Sequence, residues 1–116
     1  MITDEQIGFK AGDLDQITAL LHKYPSVQRA VLFGSRARGN YKHGSDVDIA
    51  LFIDPAEDIA VTIRCELNDE LLLPYKFDVL DYHQIKNSNL RDNINLTGLV
   101  MYDKTEYIPP IRIKTS

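Results

Sequence analysis

The segment DVDIALFI, residues 46–53, constrains this chain more than any other stretch. Beyond its two aspartates it is wholly apolar, which predicts a strand. A strand sends alternate side chains to opposite faces. Asp46 and Asp48 therefore share one face, and Val47, Ile49 and Leu51 take the other. Two residues advance a strand by roughly 6.6 Å, so inward-leaning carboxylates at 46 and 48 can converge on one cation. Like charges set among apolar residues are costly without a compensating partner. The competing reading is an Asp-x-Asp pair that caps a turn and does no chemistry.

The rest of the chain supplies the setting for that strand. Asp13 is the expected N-cap of a helix over 14–24, in which Leu14, Ile17, Leu20, Leu21 and Tyr24 recur at helical spacing. VQRAVLF (27–33) predicts a buried strand, stopped by Gly34-Ser35. RARGN reads as a short helical turn and YKHGS as a loop. Residues 56–72 predict a helix along the line Ile59, Ile63, Leu67 and Leu71, ended by Pro74. KFDVLDY (76–82) is the third strand. Ser88 is the expected cap of a helix carrying Leu90, Ile94 and Leu96, with Gly98 as its C-cap, and LVMYD (99–103) is a fourth strand. This order predicts an α/β fold, a small mixed β-sheet flanked by helices. At 116 residues the chain is expected to be one domain, 1–104, followed by a C-terminal extension, 105–116, in which Pro109-Pro110 cannot join a central strand.

Composition narrows the function. A net charge of −4 argues against sequence-blind nucleic-acid binding, which needs a basic face. No apolar run approaches the roughly 20 residues that cross a bilayer. The N-terminus lacks the basic-then-apolar order of a signal peptide. The single Cys65 excludes an internal disulfide, and with no basic neighbour in sequence it is expected to be structural. These features suit a cytoplasmic protein. His43 is expected to be solvent-exposed, and His22 and His83 have no motif around them.

Three further features surround the aspartates. Gly34 permits a close backbone approach, and a strand-to-helix turn points N–H groups outward, where phosphate binds. Ser35 adds a hydroxyl, and Arg36 and Arg38 are the residue type that suits triphosphate charge. Asp78, inside the apolar KFDVL, is the candidate third carboxylate.

Together GSRARG, SDVD and FDV resemble the nucleotidyltransferase pattern of the polymerase-beta superfamily. The chain is similar to minimal nucleotidyltransferases of the MNT type, antitoxin partners of HEPN-domain toxins, from its first helix to LVMYD. The resemblance implies the nucleotidyltransferase fold, with Gly34, Ser35, Arg36 and Arg38 binding the nucleotide. Asp46, Asp48 and Asp78 would be catalytic and bind two Mg²⁺. It also implies AMP transfer from ATP to a hydroxyl, a tyrosine of a HEPN toxin. Larger relatives carry a second domain that shapes the acceptor, and 116 residues leave no room for one, so a partner protein is expected. Val61, Cys65 and the YIPPIRI tail are candidate contacts. The alternatives are a non-catalytic antitoxin that masks its toxin and a transferase acting on a small molecule such as an aminoglycoside.

Overall fold

The computed structural model describes residues 2–109. Its regular elements are α1 (Asp13–His22), β1 (Val27–Phe33), α2 (Ser35–Arg38), β2 (Val47–Ile53), α3 (Ala60–Asp69), β3 (Phe77–Asp81), α4 (Ser88–Thr97) and β4 (Leu99–Asp103). The strands form one sheet in the order β3-β2-β1-β4. β1 runs antiparallel to β2 and β4, while β2 and β3 are parallel. The expected small mixed sheet with flanking helices is what the chain forms.

Alternation along β2 divides the core in two. Val47, Ile49, Leu51 and Ile53 pack with Phe77 and Val79 against Ile17 and Leu21 of α1 and Ile63 and Leu67 of α3. The other face holds a smaller cluster of Val31, Phe33, Ala50, Ile85 and Ile94. α4 covers that face lightly: Ile94 is its one buried residue, and Leu96 is 83% exposed.

Both predicted N-caps shift by a residue or more. Asp13 is the first residue of α1 rather than its cap. It is buried and accepts a hydrogen bond from the Tyr75 hydroxyl at 2.6 Å. Asp4 does the capping: its carboxylate accepts from Gly12 N at 3.2 Å and Leu14 N at 2.8 Å. Likewise Asn87, not Ser88, caps α4 by accepting from the amides of Asn89 and Leu90. Gly98 is the C-cap of α4, as predicted, but with φ −67°. Its requirement for glycine is steric instead, since a Cβ there would fall 2.5 Å from Val31 Cγ1. The helix expected over 56–72 is shorter, because residues 56–58 form a bend and a loop. At its other end, Asn68 turns its amide onto the β3 backbone. Met1 and residues 110–116, with most of the predicted tail, lie outside the described residues. Within the expected extension, Tyr107 stacks on His22 with ring centroids 4.4 Å apart.

Candidate active site

The sheet brings the expected residues to one end. β1 ends at Phe33, which is the Cα partner of Asp48 near the start of β2. In the parallel β2–β3 ladder Asp48 is the Cα partner of Asp78. Neighbouring strands lie about 4.8 Å apart, so the two carboxylates rise side by side from the lightly covered face. Asp46 precedes the strand and is exposed; Asp78 is exposed and Asp48 half-buried. Burial, then the charge of Asp78, then that of Asp46, push the Asp48 carboxyl above its usual range, while Arg38 pulls the other way. Asp48 therefore stands within reach of the charges of Asp78, Asp46 and Arg38.

Gly34 is the seat of Asp48. It adopts φ 78° and ψ −156°, a region essentially closed to residues with a Cβ. A Cβ there would also strike the Asp48 carboxylate, with Asp48 Cγ 3.3 Å away. The glycine thus serves two ends: it lets β1 turn directly into α2, and it lets the Asp48 side chain lie against the backbone. Ser35 opens α2, whose first N–H groups have no intrahelical partner.

The two arginines of the turn part company. Arg38 is exposed and stands in the field of Asp48. Arg36 is 4% exposed, and its guanidinium donates to the carbonyls of Ser45, Ile7 and Gly8. The expectation that Arg36 grips phosphate is corrected on that ground: its donors are committed to backbone carbonyls. His43 is exposed, as expected. Cys65, expected to be structural, is exposed and lines a cleft.

That cleft has a volume of about 520 Å³ and begins where the acids end. Asp46, Phe77 and Asp78 form one wall, and Arg64, Cys65, Asn68 and Asp69 of α3 with Lys76 form the rest. Asn68 is a residue that sequence reasoning missed. Its side chain donates to Phe77 O at 3.0 Å and accepts from Phe77 N at 2.8 Å, which ties α3 to the strand one residue before Asp78. An Asn three residues before the Leu71-Leu72-Leu73 run gives no sequence signal of that task.

Hard carboxylate oxygens are the donors that Mg²⁺ takes, and the Asp48 carboxyl is raised first by burial and then by the charges of Asp78 and Asp46, costs that a bound cation would offset. The fit is one of chemistry and backbone placement. Among the described residues no three His, Cys, Asp or Glu side chains stand in a ready coordinating arrangement. The register sets Asp48 beside Asp78, and Asp46 stands one residue before β2.

Known proteins resemble this chain over most of its length. The family model described as Polymerase beta, Nucleotidyltransferase matches residues 15–107. A Methanocaldococcus jannaschii protein, provisionally named a protein adenylyltransferase, is 34% identical over 79 residues, which span 68% of this chain and 83% of the relative. A chain of a toxin–antitoxin crystal structure with AMP-PNP superposes with a TM-score of 0.64 at 23% identity, over 79% of this chain and 73% of that one. A chain of the complex between tri-AMPylated Shewanella oneidensis HEPN toxin and MNT antitoxin gives 0.60 at 21% identity, over 81% and 72%.

Proposed function

Because the chain belongs to the polymerase beta nucleotidyltransferase family, we propose that it moves AMP from ATP to a tyrosine hydroxyl of a HEPN-domain toxin and so acts as that toxin's antitoxin. The register that pairs Asp48 with Asp78 beside Gly34 carries this reading. The archaeal relative's name supports protein adenylylation. The structural neighbours include a nucleotide-bound toxin–antitoxin and a toxin carrying AMP groups, which supports the choice of nucleotide and partner.

In this reading the backbone amides at Gly34-Ser35 and the Ser35 hydroxyl hold the phosphates. Arg38 offsets their charge. Asp46, Asp48 and Asp78 would hold two Mg²⁺, which when bound neutralise the triphosphate and the charge developing on the α-phosphate. Asp78, on the edge strand, takes the proton of the attacking hydroxyl. A bond forms from that oxygen to the α-phosphorus, the bond to the β-phosphate oxygen breaks, and pyrophosphate leaves. Attacking and leaving oxygens lie in line in phosphoryl transfer. The phosphate grip is on the β1 side of the acids and the cleft on the β3 side. The acceptor hydroxyl therefore enters through the cleft, past Arg64 and Lys76.

The test is incubation with labelled ATP, Mg²⁺ and the HEPN protein encoded beside this one. Label should appear on the partner, and Asp46→Asn with Asp48→Asn should reduce it by about a thousandfold or more while the fold is retained. Undiminished labelling by that variant rules out this site. Neutralisation of the toxin in cells by the unreactive variant would replace transfer with masking.

A further inference from the structure

Asp46 has a weakness that Asp48 and Asp78 do not share. It stands outside β2, which starts at Val47, so no ladder partner fixes its backbone from the N-terminal side. On the C-terminal side the Val47 amide is held by Lys76 O at 2.8 Å. On the other side stands Arg36. Its Nε and Nη2 both donate to Ser45 O, at 3.1 and 2.9 Å, and that carbonyl belongs to the peptide leading into Asp46.

The other end of the guanidinium is anchored far away in sequence. Nη1 donates to Ile7 O at 2.9 Å and Gly8 O at 3.4 Å. The rings of Phe9, Tyr41 and Tyr75 surround it, with centroids 5.2–5.4 Å from Cζ. Gly8 completes the packing: at φ 77°, a Cβ there would meet Tyr41 Cζ at 2.9 Å and Arg36 Nη1 at 3.1 Å. The loop it grips is itself closed, with Ser45 N donating to Lys42 O at 2.9 Å and Lys42 N to Ser45 Oγ at 2.8 Å.

We propose that Arg36 is a positioning residue for the active site: it pins the Ser45 carbonyl to the N-terminal segment and thereby sets where Asp46 presents its carboxylate. The inference rests on the reading of Asp46 as a metal ligand. A planar fork that bonds one carbonyl twice and stacks among rings is work that lysine, a point charge with three donors, cannot reproduce. The same turn thus uses one arginine to build the site and leaves the other free to face it.

The experiment compares Arg36→Lys with wild type and with Leu67→Ala, a core variant on the far face of the sheet. Two readouts are independent of turnover: amide hydrogen exchange at Lys42 and Ser45, and Mn²⁺ binding followed by electron paramagnetic resonance. Arg36→Lys should speed exchange at both amides at least tenfold while Val31 and Leu32 of β1 keep their protection, and should weaken Mn²⁺ binding about tenfold. Leu67→Ala should leave Mn²⁺ affinity unchanged in the folded protein. Wild-type Mn²⁺ affinity in Arg36→Lys, or exchange that rises equally throughout the core, overturns the proposal and makes Arg36 a packing residue only. Should Arg36→Lys fail to fold, Tyr41→Leu loosens the same clamp from its half-buried cover, and the same two criteria apply to it. If wild type itself binds no Mn²⁺, the metal reading of Asp46 fails, and the exchange arm alone decides whether Arg36 fixes the loop.

Discussion

The two faces of the sheet divide stability from chemistry. On one, every inward side chain of β2 is an aliphatic residue, and α1 and α3 close over them with Ile17, Leu21, Ile63 and Leu67 fully buried. On the other, the corresponding positions are Asp48, Ala50 and Phe52, and α4 offers Ile94 and little else. The middle of the closed face is filled by its aliphatic side chains. The open face gives up burial at its end, and there Asp48, Asp78 and the seat at Gly34 meet. A small domain with one sheet can carry a charged site because one face is packed well enough for both.

Perturbing each face in turn sharpens that contrast. The largest stability effect belongs to the closed face. Leu67→Ala should cost about 2–5 kcal/mol by cavity formation, read by urea denaturation, with nucleotide affinity of the folded fraction unchanged. A parallel loss of affinity would mean that the faces are not separable. On the open face the sign reverses. The Asp48 carboxyl is raised in the folded protein, chiefly by burial and then by Asp78 and Asp46. The fold therefore binds that proton more tightly than the unfolded chain does. The metal-free protein should lose stability as pH climbs from the ordinary aspartate range, about 3.9, through the raised value. Asp48→Asn should flatten this part of the pH profile and raise Tm by a few degrees at neutral pH in EDTA. A lower Tm for that variant would show that the ionised carboxylate is satisfied by the fold and not strained by it.

What the sequence revealed and what it hid follow from the range of each interaction. The four strands were legible because β-branched and apolar runs carry their own signal, and strand alternation alone placed Asp48 opposite the packed residues. Gly34 and Asp78 were legible as motif members, but the reason for Gly34, its contact with Asp48, links positions on different strands. The α1 cap was hidden for the same reason: Asp4 reaches Gly12 and Leu14 across an intervening turn, whereas Asp13, the local candidate, is spent on Tyr75. Arg36 and Arg38 are indistinguishable as letters. Only the fold shows that the first points into a ring of aromatics contributed by Phe9, Tyr41 and Tyr75. Leu96 belongs to the predicted helix but sits two residues after the buried Ile94, which puts it on the opposite side, in solvent.

Calorimetric titration with a non-hydrolysable ATP analogue, with Mg²⁺ and again in excess EDTA, tests the shared carboxylate site most directly. Wild type should bind at least tenfold more tightly with Mg²⁺, since bare acids repel a triphosphate, and Asp78→Asn should lose most of that Mg²⁺-dependent gain. Equal affinity in Mg²⁺ and EDTA, or an Asp78→Asn variant indistinguishable from wild type, would contradict a common metal-binding role for the three aspartates.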